Sequence, residues 1–134
     1  MKLLLSALLF LAGTTMMFAD MQKPLAVTLA DKGQTLTVKV GREIIVSLAG
    51  NITTGYSWNL AGIDGKAVVL DGEVKYQENK HPDGMTGVPG MFHAKFKTLK
   101  PGKATVKLEY RRPWEKDAKP AEKDIFTVTL SVEK

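Results

Sequence analysis

Few side chains of this sequence are suited to catalysis. It contains no cysteine and only two histidines, His81 and His93. His81 falls in a proline-containing loop and His93 on the polar face of a predicted strand, as ordinary surface histidines do. Asp64, Asp71 and Glu73 lie near predicted turns without the spacing of a catalytic carboxylate pair. The sequence shows no nucleophile motif, phosphate-binding loop or metal-ligand cluster, so we predict a protein that is not an enzyme and uses no cofactor or metal.

The first stretch suited to binding runs from Gly50 to Trp58, between two apolar, strand-like segments. Asn51 can set a turn through its own side chain, and Thr53 and Thr54 are stiff about χ1. Gly55 permits a positive φ and the close approach of another backbone. Such a loop loses little conformational freedom when it docks on a partner. A plain polar turn between two strands is the alternative interpretation.

Two further loops follow along the chain. The segment from Thr86 to Gly90 combines two glycines with Pro89, which fixes one φ and removes one backbone donor. The segment from Arg111 to Glu115 places Trp114 in an otherwise polar loop. Tryptophan and arginine are enriched among the residues that dominate binding energy at protein interfaces. The alternatives are a flexible strand connection and a Trp114 side chain that folds back to cap the core.

The segments that must position these loops alternate apolar and polar residues with a period of two, which predicts strands. A first short strand is predicted at 26–30, with Val27 and Leu29 on one face. Seven or eight short strands with turn signals between them predict an all-β, immunoglobulin-like, two-sheet antiparallel sandwich, and a closed barrel is the alternative. Because loops cluster at the two ends of a sandwich, loops far apart in sequence can lie side by side.

Residues 1–19 are predicted to be a signal peptide. Lys2 is followed by an apolar run at 3–12, and Ala19 offers a small residue for cleavage before Asp20. The mature domain is then 20–134, exported to the periplasm or secreted, with no membrane association after cleavage. Without cysteine, this domain depends on its apolar core for stability.

The net charge of +5 comes from lysines scattered along the chain rather than from a basic block. This distribution is typical of a solvated surface, so nucleic acid is not a predicted partner. We expect the free protein to be a monomer.

In this order, and with these strands between them, the three loops resemble those of the chagasin family of inhibitors of papain-like cysteine peptidases. That family carries an Asn-Pro-Thr-Thr-Gly-aromatic loop, a glycine-rich loop and an Arg-Pro-Trp loop, and the resemblance covers about residues 35–132. The peptidase-binding residues that it implies are Asn51, Ile52, Thr53, Thr54, Gly55, Tyr56, Gly87, Val88, Pro89, Gly90, Arg112, Pro113 and Trp114.

The resemblance implies a reversible, non-covalent inhibitor that blocks the active-site cleft of a papain-like peptidase with three loops. The segment 53–55 would lie over the catalytic cysteine and histidine, where small residues let the backbone approach closely. The segment 87–90 would run along the unprimed subsites and exchange main-chain hydrogen bonds with the enzyme. Trp114 would pack on the primed side, and Arg112 would pair with an acidic rim.

Two residues depart from the family pattern. Ile52 stands where proline is usual, which predicts a less rigid tip of the loop. Pro89 stands where glycine is usual, which removes one main-chain donor.

The alternative function is an exported immunoglobulin-like binding module for a carbohydrate or a cell-envelope protein. In that case Tyr56, Trp58 and Trp114 would form an exposed aromatic platform. Inhibition instead requires all three loops at one end of the sandwich, so their placement distinguishes the two functions.

Overall fold

The computed structural model describes residues 23–134, and the predicted signal peptide at 1–19 lies outside them. The described chain contains nine strands: β1 (Leu25–Val27), β2 (Thr35–Lys39), β3 (Glu43–Gly50), β4 (Ser57–Asp64), β5 (Val68–Leu70), β6 (Lys75–Glu78), β7 (Gly90–Thr98), β8 (Gly102–Arg111) and β9 (Ile125–Glu133). Three 3₁₀ turns lie between them, at Leu29–Asp31, Ile52–Thr54 and Glu122–Asp124. Within 23–134, no helix has the length and apolar character needed to cross a membrane.

The strands form two sheets, as the predicted all-β, immunoglobulin-like sandwich requires. One sheet has the order β1-β3-β7, with β5 and β6 both pairing with β7, and the other has the order β2-β9-β8-β4. Two details differ from the prediction. Nine strands are present in the described chain rather than seven or eight, and β1 and β5 are only three residues long. β1 pairs parallel with β3 and β2 parallel with β9, because the chain passes from one sheet to the other between β1 and β2 instead of forming a hairpin.

The inward-facing residues of the alternating segments form one core between the sheets. Its largest fully buried side chains are Phe96, Phe126, Ile44, Leu108 and Leu130. Burial of each such side chain stabilises the fold by about 1.5–3 kcal/mol. This core confirms the facing predicted from the alternation of apolar and polar residues.

The prediction that Leu29 shares a buried face with Val27 is wrong. β1 ends at Val27, and Leu29 begins a 3₁₀ turn. The Leu29 side chain is 59% exposed there, whereas Val27 is fully buried.

The strand register brings three loops to one end of the sandwich. Gly50 at the end of β3 lies opposite Gly90 at the start of β7, and Ser57 at the start of β4 lies opposite Arg111 at the end of β8. The first loop (51–56) joins β3 to β4, and the second loop (79–89) joins β6 to β7. The third loop (112–121) follows β8 and leads to β9. All three therefore leave the sheets at the same end, as inhibition requires.

Candidate functional site

The first loop is a single 3₁₀ turn that Asn51 begins. Its side-chain Oδ1 accepts the backbone N–H of Thr53 at 3.1 Å and the Thr53 hydroxyl at 2.6 Å. The hydroxyl of Thr54 donates to the Asn51 carbonyl at 2.7 Å. Gly55 ends the turn with a φ of 85°, a conformation that strains residues with a β-carbon. Both threonine hydroxyls are thus engaged within the loop, and its residues 53–55 present small side chains and backbone.

Asn51 also joins the first loop to the second. Its Nδ2 donates to the carbonyl of Gly87 at 2.8 Å. Its backbone N–H donates to the hydroxyl of Tyr110 at 2.9 Å. The turn-setting role of Asn51 was predicted from its residue type. The bond to Gly87 was not predicted, because it depends on the register that brings the two loops together.

Arg112 joins the third loop to the first. Its Nε donates to the carbonyl of Thr54 at 3.3 Å, and its guanidinium carbon lies 4.7 Å from the centre of the Tyr56 ring. This is a cation–π contact, which attracts the charge to the face of the ring. Its Nη1 pairs with Glu115 at 3.1 Å. Arg112 therefore holds two loops together and already has a carboxylate partner within its own loop.

Trp114 is an exposed side chain that lies against the first loop. It is 67% exposed, so it does not cap the core. A β-carbon built on Gly55 would lie 2.6 Å from Cη2 of Trp114, so the indole reaches the backbone of the first loop. Pro113 precedes it and is also exposed. The third loop thus presents a large apolar surface beside the small residues of the first.

The last residues of the second loop are anchored to the sheet rather than free. Val88 is 8% exposed, and Gly90 is buried as the first residue of β7. The hydroxyl of Tyr76 donates to the carbonyl of Val88 at 3.4 Å, and the backbone N–H of Asn79 donates to the carbonyl of Pro89 at 3.1 Å. Of the four residues predicted here, Gly87 and Pro89 are exposed, while Val88 and Gly90 are not.

The exposed tip of the second loop precedes this anchor. Met85 is 55% exposed and lies between Gly84 and Gly87, whose φ angles are 88° and 72°. The sequence interpretation did not single out Met85. A large apolar residue between two glycines in a long polar loop is the signal that could have identified it.

Ile52 and Pro89, the two departures from the family pattern, both occupy positions where the backbone accommodates them. Ile52 is the first residue of the 3₁₀ turn and is 44% exposed. A helical turn needs no backbone donor at this position, so both proline and isoleucine fit it. Pro89 directly precedes β7, where its missing N–H does not interrupt the strand ladder.

His81 lies near the start of the second loop. Its Nδ1 is 2.9 Å from the carbonyl of Pro82, and its Nε2 is 3.2 Å from a carboxylate oxygen of Glu78. The hydrogen bond to Pro82, and after it the hydrogen bond to Glu78, raise the pKa of His81 above its ordinary value of 6.5. A protonated ring can donate to both acceptors at once, whereas a neutral ring can donate to one only.

Comparison with known proteins identifies the family. The family model described as chagasin family peptidase inhibitor I42 matches residues 37–130. The chain is similar to chagasin of Trypanosoma cruzi, at 36% identity over 107 residues that cover 78% of this chain and 94% of chagasin. It is also similar to amoebiasin-1 of Entamoeba histolytica, at 32% identity over 109 residues that cover 81% of this chain and 100% of amoebiasin-1.

A solved structure agrees with these sequence comparisons. The crystal structure of a cysteine protease inhibitor from Entamoeba histolytica is similar to this fold with a TM-score of 0.70 and 29% identity, over 84% of this chain and 97% of that one. The family model covers well over half of the sequence, and it describes inhibitors rather than enzymes. This chain therefore belongs to the chagasin family of peptidase inhibitors.

Proposed function

We propose that this protein is a reversible, non-covalent inhibitor of papain-like cysteine peptidases, and that its three-loop edge fills the active-site cleft. We define the three-loop edge as the first loop, residues 84–90 and residues 112–114. The main support for this proposal is the way the loops are joined. Asn51 bonds to Gly87 on one side of the first loop, while Arg112 and Trp114 lie against its other side. Membership of an inhibitor family supports the same function.

The first loop suits the centre of the cleft because it is small and folded. The segment 53–55 has no bulky side chain, so its backbone can pass close to a catalytic cysteine. The segment 52–54 is a 3₁₀ turn rather than an extended strand, so it does not present a peptide bond in the extended form of a substrate. A loop held away from attack geometry blocks the enzyme without reacting.

The loops on either side of it supply the larger contacts. The carbonyls of Gly87, Val88 and Pro89 each accept a hydrogen bond within the protein, which holds this segment in place. Before it in the loop, Met85 is 55% exposed and offers an apolar contact to an enzyme. On the other side, Trp114 is an exposed aromatic anchor. An interface of this type buries on the order of 1,600 Å² in total.

The aromatic platform of the alternative function is not favoured by the geometry. Trp58 is 6% exposed, and its Nε1 donates to the carbonyl of Ala49 at 3.0 Å. The ring of Tyr56 stacks on Tyr110 with their centres 5.3 Å apart. Trp114, at 67%, is therefore the only one of the three platform residues that is largely exposed.

The test is inhibition of papain by residues 20–134, measured as hydrolysis of a fluorogenic peptide. We expect dose-dependent inhibition that is recovered on dilution, and weaker inhibition by the Trp114→Ala variant. Absence of inhibition of papain and of a panel of related peptidases would overturn the proposal. The alternative function, an exported binding module, would then be tested by measuring binding to cell-envelope proteins and glycans.

We also propose that residues 1–19 are a cleaved signal peptide and that the mature inhibitor acts in the periplasm or outside the cell. The support is the positive Lys2, the apolar run at 3–12 and the small residue Ala19. Amino-terminal sequencing of the protein recovered from each cell fraction tests this. Recovery of the full chain from the cytoplasm alone would contradict it.

A further inference from the structure

Tyr110 lies beneath the three-loop edge, near the end of β8, and touches the edge with its hydroxyl. This hydroxyl accepts the backbone N–H of Asn51 at 2.9 Å and faces the Asn51 carbonyl, to which it donates, at 3.4 Å. A single side-chain oxygen thus contacts both main-chain groups of the residue that begins the first loop, although its contact with the Asn51 carbonyl is the longest of three, the other two coming from the hydroxyl and the N–H of Thr54. Such a paired contact restrains the backbone more than a single bond does.

The ring of Tyr110 is itself held in an aromatic layer. Its centre lies 5.3 Å from that of Tyr56, 5.2 Å from that of Trp58 and 6.3 Å from that of Phe92. Aromatic pairs at these separations attract one another beyond the area they bury. With neighbours around it, the ring has little freedom to move its hydroxyl away from Asn51.

All three loops connect to Tyr110 through at most one intermediate residue. The first loop begins at Asn51, and the Asn51 side chain carries the bond to Gly87 of the second. The third loop connects through Tyr56. The Tyr56 ring packs against that of Tyr110 and makes the cation–π contact with the guanidinium of Arg112. Tyr110 is the residue common to these connections.

We propose that Tyr110 is a positioning residue for inhibition, whose hydroxyl fixes Asn51 and thereby sets the spacing of the three loops. This proposal rests on the proposed function. Tyr110 acts through Asn51 and needs no contact with the peptidase. The rigid placement lowers the conformational entropy that the loops lose on binding, and that entropy opposes affinity.

The test is Tyr110→Phe, which removes the hydroxyl and keeps the ring. We expect the inhibition constant against papain to rise about five- to tenfold, which is the change in an equilibrium that one neutral hydrogen bond produces, because the 2.9 Å bond to the Asn51 N–H is the stronger of the two that are lost. The melting temperature falls as well, so a control must separate stability from positioning.

Thr98→Val is the matched control. The hydroxyl of Thr98 also serves two backbone groups, accepting the N–H of Gly41 at 2.7 Å and donating to the carbonyl of Arg42 at 3.1 Å. It lies at the opposite end of the sandwich. We expect a comparable fall in melting temperature with unchanged inhibition. Wild-type inhibition by Tyr110→Phe, or equal weakening by Thr98→Val, would overturn the proposal.

One further measurement tests the route through Asn51. In the free protein, the amide proton of Thr53 should exchange faster in Tyr110→Phe than in Thr98→Val. This second readout needs no peptidase, so it tests positioning even if papain is not inhibited; equal exchange rates would contradict the proposal.

Discussion

The indole of Trp114 packs directly on the α-carbon of Gly55, in space that no other residue type leaves open. A β-carbon at position 55 would lie 2.6 Å from Cη2 of Trp114, and the φ of Gly55 is 85°. Gly55 thus ends the 3₁₀ turn of the first loop and also leaves the space in which Trp114 of the third loop packs. Four predictions follow from this edge and from the loop beside it.

Gly55→Ala is expected to weaken inhibition by more than about tenfold. The new methyl group must displace Trp114, and a positive φ costs a residue other than glycine about 1–3 kcal/mol. Gly72→Ala is the matched control, since Gly72 has the same φ of 85° but open space around its α-carbon. It should show similar destabilisation in urea and normal inhibition of papain. Equal loss of inhibition in both variants would mean that contact with Trp114 is unimportant.

Trp114→Ala is expected to cost about 2–4 kcal/mol of binding free energy, because tryptophan is among the residues that most often anchor protein interfaces. The change should leave the melting temperature nearly unaltered, since the side chain is 67% exposed. Leu99→Ala is the control, a truncation of a 53% exposed side chain at the opposite end of the sandwich. Calorimetric titration against inactivated papain measures both. Unfolding of the Trp114 variant would instead indicate a structural role.

Ile52→Pro is expected to stabilise the protein by about 0.4–1 kcal/mol and to lower the inhibition constant. Ile52 begins the 3₁₀ turn, and Asn51 before it has an extended backbone (φ −135°, ψ 101°), the region that a residue preceding proline prefers. The gain arises from fewer unfolded conformations and a more rigid tip. Ile52→Ala removes the side chain without fixing φ and should show neither gain. Weaker inhibition by the proline variant would show that the turn must adjust on binding.

The stability of the second loop is expected to depend on pH through His81. Its folded pKa is raised above 6.5 by the carbonyl of Pro82 and then by Glu78. The resulting stabilisation is complete below the unfolded pKa and is lost as pH rises through the folded pKa. An NMR titration should place the His81 midpoint above the ordinary value, and Glu78→Gln should lower it. The free energy of unfolding of the His81→Gln variant should lack this part of the pH dependence. A midpoint of the His81 titration at or below 6.5 would contradict the raised pKa.

Much of the fold follows from local pattern, and much of the site does not. The alternation in 92–97 and the turn chemistry of Asn51 and Gly55 are local properties, so the core, the sandwich and the shape of the first loop were predictable. The roles of Tyr110 and Met85 depend on strand register and on which part of a long loop remains exposed. The burial of Val88, which is 8% exposed between the exposed Gly87 and Pro89, likewise depends on how the loop packs against the sheet and could not be predicted from its residue type.

The directions of the first and last strands leave the far end of the sandwich available for attachment. β9 runs away from the loops and finishes beside the start of β8, while β1 starts beside the beginning of β3. The carbonyl of Lys23 is held there by Arg42 at 2.8 Å. Both ends of the described chain thus emerge opposite the three-loop edge. A fused domain, a label or a solid support joined at either one would point away from a bound peptidase, so the molecule is suited to use as a tethered capture reagent.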